Sequence, residues 1–326
     1  MKFDLLKEIT KPIKEEFNDF EKYFIKSLKS EVDLIDKVIT YVSKRKGKRF
    51  RPRLCILSSK LCGEVNENTY KASSLIEMIH VATLIHDDIV DDADIRRGWP
   101  SVHKIWKNKV SILIGDYMFS MALSNVIKID DKKALSVLSN TAERLSRGEI
   151  MQIDKAINKE MTEDDYYKMI GDKTASLFSA SCEMGAIVST SSVEKINALK
   201  TYGECIGVMF QIKDDLLDIL GNEKQIGKPS MFDLKKNMMT LPLIHILSNM
   251  DKNESNSLKI KLRRLSKSQD KKRIRELIIR LGGVDYANKV IDQYADKAIN
   301  SLSIFDDSDV KNVLVSAINY NKSRAM

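Results

Sequence analysis

The chain has 326 residues, of which 43% are hydrophobic and 31% charged, with a formal net charge of +8. This composition excludes an intrinsically disordered chain, and the low numbers of Gly (13) and Pro (5) with few alternating segments indicate an all-α protein. The four cysteines lack a C-x-x-C pair and are typical of small buried hydrophobes in a reducing compartment.

The amino terminus carries acidic residues and no apolar core, so we expect no signal peptide. No run approaches ~18 apolar residues, so we expect no transmembrane segment and a cytoplasmic protein. The basic segment 259–280 lacks aromatic residues, which favours a solvated helical face over nucleic-acid binding. A loose contact with anionic lipid headgroups stays open for this segment.

The N-terminal 45 residues predict two or three amphipathic helices, followed by a basic loop framed by Gly47 and Pro52. Pro52 suits the first turn of a helix that ends at Gly63. Asn66 then caps a helix that runs through segment 80–92.

Further boundaries follow from periodicity, capping boxes and glycines. We expect three or four helices after the loop 221–237, with no linker or repeat that would divide the chain. The prediction is a single all-α domain over 1–326, with the motifs in about 44–245 and C-terminal helices in 246–326. Within these parts we predict helices over 112–127 and 132–158, capping boxes at Thr162–Asp165 and Ser191–Glu194, an interruption at Gly171–Thr174, a helix end at Leu220 and a break at Gly282–Gly283.

An acidic cluster ends the helix that contains segment 80–92. Asp87 and Asp91 lie four residues apart on one helical face, Asp88 joins them, and His80 lies two turns earlier on that face. Like charges at this spacing repel, so the turn is either solvated on all sides or binds a cation. For this segment alone the two alternatives are equal.

Asp214, Asp215 and Asp218 repeat this spacing near the end of another predicted helix, where the macrodipole disfavours carboxylates. Two copies of one unfavourable arrangement indicate a compensating divalent cation, and oxygen ligands favour Mg²⁺ or Ca²⁺ over zinc. If the two faces meet across a bundle, six carboxylates would hold two or three Mg²⁺ and leave positions for a diphosphate.

Basic residues in loop breaks and at helix ends fit this interpretation. Each alone is more often a surface charge than a ligand, but together they predict a site for two phosphorylated substrates with apolar walls for a greasy tail. No P-loop or dinucleotide fingerprint occurs, and we interpret His86 and His103, which lack a ligand at metal-binding spacing, as structural. The basic residues are Lys48, Arg49, Arg51, Arg96, Arg97, Lys173 and Lys228.

Short motifs follow one another over about residues 44–245 and are specific only in combination. They are Gly47–Pro52, His80 with His86–Asp91, Arg96–Gly98, Gly115–Tyr117, Gly148–Glu149 with Gln152, Lys173–Thr174, Phe210–Gln211 with the second Asp cluster, Gly227–Pro229 and Thr240–Pro242. In this order they resemble the trans-isoprenyl diphosphate synthases of the polyprenyl synthetase family, and within it the long-chain octaprenyl and solanesyl types.

The resemblance implies a helical bundle of isoprenoid synthase type around a deep central cavity. It implies a Mg²⁺-dependent prenyltransferase that condenses isopentenyl diphosphate head-to-tail onto an allylic diphosphate and releases diphosphate. It further implies a homodimer and a long all-trans product for quinone side chains, released through loose contact with a membrane surface.

The resemblance also implies site residues. Metal would be bound by Asp87, Asp88, Asp91, Asp214, Asp215 and Asp218; isopentenyl diphosphate by Lys48, Arg51, His80 and Arg97; and the allylic diphosphate by Arg96, Lys173, Thr174, Gln211 and Lys228. Thr174 and the carbonyl region of Lys173 would help to stabilise the allylic cation, and the departing diphosphate would accept the final proton. The catalytic residues implied are Asp87, Asp88, Asp91, Lys173, Thr174, Asp214 and Asp215.

Bulk just before the first Asp cluster sets product length in this family. Ala82 and Thr83 are small, which resembles enzymes that make heptaprenyl to nonaprenyl diphosphate. The sequence departs from the family at Met238, where a lysine is common, and at Lys46 and Met231, where glycine is usual. A short-chain farnesyl or geranylgeranyl synthase and a catalytic subunit of a heteromeric synthase stay open as alternatives, whereas the two complete Asp motifs and the basic loop argue against a terpene cyclase.

Overall fold

The computed structural model describes residues 5–44, 47–96, 98–158, 160–221, 238–263 and 268–323. These residues are almost entirely helical, which confirms the predicted all-α class. The described strands are a two-residue antiparallel pair, Ile95–Arg96 (β1) and Trp99–Pro100 (β2), with Arg96 opposite Trp99.

The helices before the π-helical turn at Gly171–Ala175 include three of 24 residues or more. They are α1 (Leu5–Thr10), α2 (Lys14–Ser27), α3 (Asp33–Lys44), α4 (Phe50–Cys62), α5 (Glu67–Val90), α6 (Val102–Ile129), α7 (Lys132–Asn158) and α8 (Glu163–Ile170).

After the π-helical turn, another long helix precedes the C-terminal part of the chain. The elements are α9 (Ser176–Ile187), α10 (Val193–Leu220), α11 (Leu241–Ser248), α12 (Lys252–Arg263), α13 (Ser268–Arg280), α14 (Gly283–Ser301) and α15 (Asp309–Ser323). The described part thus has five helices after residue 237, where three or four were predicted.

The chain forms two compact units. Unit 1 comprises Met1–Asn140, Leu177–Lys200 and Ile304–Leu314, and its core forms where α5 packs along α6 and against α2 and α4. α5 begins with a capping box, in which the Asn66 side chain accepts from the Thr69 N–H and the Thr69 hydroxyl accepts from the Asn66 N–H. The first Asp cluster lies at the other end of this buried helix.

Unit 2 comprises Thr141–Ser176, Thr201–Ser303 and Val315–Met326. Within it α11 packs on α14 and α8, and the C-terminal part of α10 carries the second Asp cluster. Thr162 and Asp165 form the predicted capping box of α8. The prediction of a single domain stays a prediction.

Most predicted boundaries agree with the structure, including the end of α4 at Gly63 and the break at Gly282–Gly283. Gly282 has a positive φ and lies immediately before α14. The capping box predicted at Ser191 is wrong by one residue, because the Ser192 hydroxyl accepts from the Lys195 N–H. α6 begins ten residues before the predicted Ile112 and has a kink at Lys107, where φ is 69°.

α6 is long and apolar enough, by length and composition, to span a membrane, with 39% of its most apolar window buried. This corrects the expectation that no segment has that length and hydropathy. The finding is weak evidence for a span, because a helix packed in a protein core satisfies the same test, and α6 packs along α5.

Candidate active site

In unit 1, the last turn of α5 presents the first Asp cluster. Asp88 is 3% exposed and accepts a hydrogen bond of 2.6 Å from Nε of Arg96 on β1. Burial raises the pKa of Asp88, and the charge of Arg96 opposes that shift. Asp91 ends the helix, with its N–H bonded to the Asp87 carbonyl at 2.8 Å, and its side chain is exposed. The short hairpin therefore folds a cation back onto the most buried carboxylate of the cluster.

Two residues predicted to bind isopentenyl diphosphate meet in unit 1. Nη1 of Arg51 on α4 lies 3.2 Å from Nε2 of His80 on α5, and its guanidinium lies 4.3 Å from the centre of the Phe178 ring. Lys48 is exposed in the loop before α4. Arg97, the fourth predicted residue, lies outside the described residues. Arg49, another of the basic residues predicted to line the substrate site, is 6% exposed and forms a 2.9 Å ion pair with Glu21.

Ala82 and Thr83, predicted to set product length, precede the first Asp cluster on α5. Ala82 is fully buried, whereas Thr83 is half-buried and donates a hydrogen bond of 2.9 Å to the His80 carbonyl. Both side chains are too small to fill the space that an aromatic ring would take.

A group that sequence reasoning missed lies beside the first cluster. Ligand atoms of Asp92, Asp94 and His103 lie within 4.8 Å of one another. Lys104 already supplies a cation to this group, at 2.6 Å from Asp94 and 3.4 Å from Asp92. The hairpin reverses the chain between these residues, so no helical spacing could have revealed the group.

In unit 2, Asp215 on α10 is 4% exposed and accepts two hydrogen bonds. Tyr166 Oη donates at 2.6 Å and Gln211 Nε2 at 2.8 Å. The Thr174 hydroxyl in turn donates to Gln211 Oε1 at 2.8 Å. These bonds form one hydrogen-bonded chain from Thr174 through Gln211 and Asp215 to Tyr166. The sequence had predicted the first three as site residues, but not Tyr166.

Asp218, one turn after Asp215 on α10, is also buried, whereas Asp214 is partly exposed. The carbonyl of Ile219 at the end of the same helix accepts a hydrogen bond of 2.8 Å from Nε of Arg275. A cation there offsets the negative end of the helix that carries the cluster. Sequence reasoning missed Arg275, because it lies in a basic segment interpreted as a solvated face.

Lys173 lies in the π-helical turn between α8 and α9. Its ammonium donates to Gln152 Oε1 at 2.9 Å and pairs with Glu149, both on α7. These contacts explain two motif residues to which no role was assigned. Lys228, Lys46 and Met231 lie outside the described residues.

The ligand atoms that both Asp clusters offer suit a hard divalent cation. The motif positions of each cluster supply carboxylate oxygens, which Mg²⁺ prefers over the softer ligands of zinc or copper. Buried carboxylates such as Asp88, Asp215 and Asp218 cost free energy unless a cation or donors compensate them. The residues present therefore fit a Mg²⁺ cofactor.

Comparisons with known proteins identify the family of this chain. The sequence model of the polyprenyl synthetase family matches residues 32–279. A short-chain isoprenyl diphosphate synthase of Methanothermobacter thermautotrophicus is 36% identical over 275 residues, 82% of this chain and 83% of that protein. An all-trans-nonaprenyl diphosphate synthase of Rhodobacter capsulatus is 30% identical over 317 residues, 97% of each chain.

Among solved structures, the polyprenyl synthase of Caulobacter crescentus, crystallised with calcium and isoprenyl diphosphate, superposes with a TM-score of 0.89. It is 30% identical, over 98% of each chain. Family match, identity and fold together show that this chain is a prenyltransferase of the polyprenyl synthetase family.

Proposed function

We propose that the enzyme condenses isopentenyl diphosphate head-to-tail with an allylic diphosphate and extends it to a long all-trans polyprenyl diphosphate, heptaprenyl to nonaprenyl in length, for quinone side chains. The observation that carries the proposal is the hydrogen-bonded chain from Thr174 through Gln211 and Asp215 to Tyr166. It connects a buried carboxylate to the turn that bears Lys173. Ionisation of a diphosphate ester requires hydrogen-bond donors and cations directed at the leaving group, and a pre-oriented carboxylate serves by binding such a cation.

We assign magnesium binding to both Asp clusters. Asp215 supports this assignment, because Tyr166 and Gln211 orient its carboxylate before any cation binds. When bound, two or three Mg²⁺ would supply the positive charge that stabilises a leaving diphosphate. The assigned ligands are Asp87, Asp88, Asp91, Asp214, Asp215 and Asp218.

The two substrates have separate binding residues in this proposal. Paired Arg51 and His80 hold the diphosphate of isopentenyl diphosphate, and the Thr174 hydroxyl faces the developing allylic cation. The diphosphate that leaves takes the final proton, so the reaction needs no dedicated protein base. The further residues are Lys48 and Arg97 for isopentenyl diphosphate, and Arg96, Lys173, Gln211 and Lys228 for the allylic diphosphate.

Buried Ala82 and half-buried Thr83 support the long product, because both side chains are small and neither places an aromatic ring before the first Asp cluster. The nonaprenyl synthase that matches 97% of the chain also supports it. A second candidate is a short-chain synthase, which the archaeal relative at 36% identity favours.

We propose that the enzyme is a homodimer in the cytoplasm and binds no nucleic acid. α6 supports the dimer, since Ile112, Leu113, Leu123 and Ile127 share one face of that helix and are 43% to 69% exposed. A heteromeric enzyme is the alternative, because "component 2" of a heptaprenyl diphosphate synthase from Bacillus subtilis is among the relatives.

The proposal is tested by incubating the purified chain with farnesyl diphosphate, labelled isopentenyl diphosphate and Mg²⁺, followed by chromatography of the dephosphorylated products. We expect heptaprenyl to nonaprenyl alcohols, and none when EDTA replaces Mg²⁺. Ala82→Phe should shorten the product, because the ring adds bulk just before the first Asp cluster.

A product that stops at farnesyl or geranylgeranyl length would contradict the long-chain assignment and favour the second candidate. No incorporation of label by the folded chain alone would contradict a homodimeric synthase. Activity that appears only with a dissimilar partner would establish the heteromer.

A further inference from the structure

The turn that bears Lys173 and Thr174 has an unusual backbone. Gly171–Ala175 is π-helical, and the Ser176 N–H donates to the Gly171 carbonyl, five residues back. Such turns insert an extra residue into a helix, are rare and occur often at functional sites. Here the turn directs Lys173 to α7 and Thr174 to Gln211 on α10.

Asp172 anchors this turn from inside. It is 4% exposed, and its carboxylate accepts three hydrogen bonds from two arginines of α7. Arg144 Nε donates at 2.8 Å, Arg147 Nε at 2.7 Å and Arg147 Nη2 at 3.1 Å. Burial alone would raise the pKa of Asp172, but these hydrogen bonds hold it below the ordinary value of 3.8. Charge-assisted bonds from planar guanidinium groups fix orientation as well as distance.

Arg144 also ties the turn to α10. Its Nη2 donates to the Gly171 carbonyl at 2.8 Å and to Glu204 Oε1 at 2.6 Å, and Nη1 reaches Glu204 Oε2 at 3.2 Å. Glu204 lies on the helix that carries Gln211 and Asp215. One guanidinium of α7 therefore links the two elements of this unit, the turn and α10, that supply proposed site residues.

The backbone of α7 contacts the turn directly at Gly148. A Cβ at that position would lie 2.5 Å from the Lys173 nitrogen and 2.9 Å from its Cα, so no side chain fits. The turn is thus held by a close backbone contact on one side and by Asp172 with its arginines on the other.

We propose that Arg144, Arg147 and Asp172 are positioning residues for the condensation: they hold the π-helical turn so that Lys173 and Thr174 keep their places. This inference rests on the proposed function, which assigns Lys173 and Thr174 to the allylic substrate. None of the three residues needs to touch substrate. A displacement of about 1 Å in such groups costs about 100-fold in rate.

Arg147 separates positioning from stability. Its side chain is 45% exposed, so water can reach the place that it leaves, and the buried Asp172 keeps its hydrogen bond from Arg144. Arg147 donates two of the three hydrogen bonds to Asp172, so its removal also costs some stability. We therefore expect reduced activity with a moderate loss of stability that leaves the variant folded, which thermal unfolding checks.

The experiment compares Arg147→Ala and Arg147→Lys with Glu143→Gln in the full chain. Glu143 is the other partner of Arg147, at 3.0 Å on the solvent side, and contacts neither the turn nor Asp172 in the described pairs, which makes it a matched control. For Arg147→Ala we expect kcat to fall about 10- to 100-fold and KM for the allylic diphosphate to rise, with KM for isopentenyl diphosphate unchanged. Lysine keeps the positive charge but cannot donate to Asp172 from two coplanar nitrogens, so Arg147→Lys should not restore kcat. Glu143→Gln should match the wild type.

Asp172→Asn and Asp172→Glu extend the test, with thermal unfolding to show that each variant folds. We expect both to lose kcat, since Asn lacks the charge and the longer Glu displaces the turn. Rescue by Glu would show that charge alone matters and would overturn the positioning role. Should the Asp172 variants not fold, the Arg147 series decides alone.

Two failures remain distinguishable. Wild-type chain without prenyltransferase activity contradicts the proposed function. If the wild type is active and Arg147→Ala has an equal kcat, only the positioning inference is contradicted. The same holds if Arg147→Ala has a lower kcat but KM for the allylic diphosphate does not rise, because partial loss of folded enzyme lowers kcat and leaves both KM values unchanged.

Discussion

At the scale of single residues, three buried carboxylates accept hydrogen bonds from side chains of other elements. Asp88 accepts a hydrogen bond from Arg96 on β1, and Asp215 accepts one from Tyr166 on α8. Asp172 accepts hydrogen bonds from two arginines on α7. A buried carboxylate without such donors costs several kcal/mol. These donors thus decide which carboxylates the fold can bury.

Tyr166→Phe should lower activity without unfolding the protein. Loss of the 2.6 Å hydrogen bond removes one of the groups that orient the Asp215 carboxylate, and such losses behind metal ligands cost about 10- to 100-fold in metal affinity or activity. Mg²⁺ titration of initial rates should show a higher half-saturating concentration. Tyr167→Phe is the control, because the Tyr167 hydroxyl interacts with Glu163 instead. Equal Mg²⁺ dependence in the Tyr166→Phe and wild-type enzymes would contradict the proposed role of Asp215.

The pKa of Asp172 predicts how stability depends on pH. The groups that face it are Arg144 and Arg147 on α7, and Glu204 across Arg144 on α10. Its pKa is lower in the folded than in the unfolded chain, so the unfolded chain binds more protons near pH 3.8 and below. The stabilisation is complete above that range and is lost as pH falls through the folded pKa.

Urea unfolding of wild type and Asp172→Asn at pH 7 and at acidic pH measures this effect. We expect the stability difference between them to be largest at pH 7 and to shrink below pH 3.8. A difference that grows on acidification would have the wrong sign for a carboxylate whose pKa is lowered by folding.

At the scale of elements, close helix contacts depend on individual glycines. Gly148→Ala forces a methyl group to 2.5 Å from the Lys173 backbone, and such overpacking costs about 1–3 kcal/mol. Gly171→Ala is the matched control, because its nearest neighbours would lie at 3.7 Å, which is ordinary contact. Alanine in a helical conformation also stabilises by about 0.5–1 kcal/mol relative to glycine.

Urea midpoints should therefore fall for Gly148→Ala and stay equal or rise for Gly171→Ala. If both variants were equally stable, α7 and the π-helical turn would not be in the close contact seen in the structure.

The boundaries of several elements could be predicted because the signals are local. Asn66 and Thr162 cap α5 and α8 as predicted, and Gly282 begins α14 with positive φ. The π-helical turn was predicted only as an interruption. The extra residue of a π-helical turn leaves no distinct sequence pattern. The turn is stabilised by bonds between Asp172 and two arginines that lie 25 and 28 residues before it in the sequence.

At the scale of the whole molecule, the exposed apolar face of α6 predicts assembly. Leu113→Glu together with Ile127→Glu places charges on side chains that are 59% and 69% exposed. Light scattering coupled to gel filtration should show a dimer for the wild type and a monomer for the variant, because a charge buried in an interface without a partner costs several kcal/mol.

Leu34→Glu, on α3 and 43% exposed, is the control and should stay dimeric. A monomeric wild type, or a double variant that remains dimeric, would contradict an interface at this face of α6.

The sequence alone determined the all-α class, the main helices of the motif-bearing region and the repeated Asp spacing, because these depend on residues within a few turns of one another. Only the tertiary structure decided which groups surround those carboxylates. Tyr166 lies 49 residues from Asp215, and Arg144 lies 28 from Asp172 and 60 from Glu204. Such pairings form when packed helices bring distant segments together, and no local pattern records them.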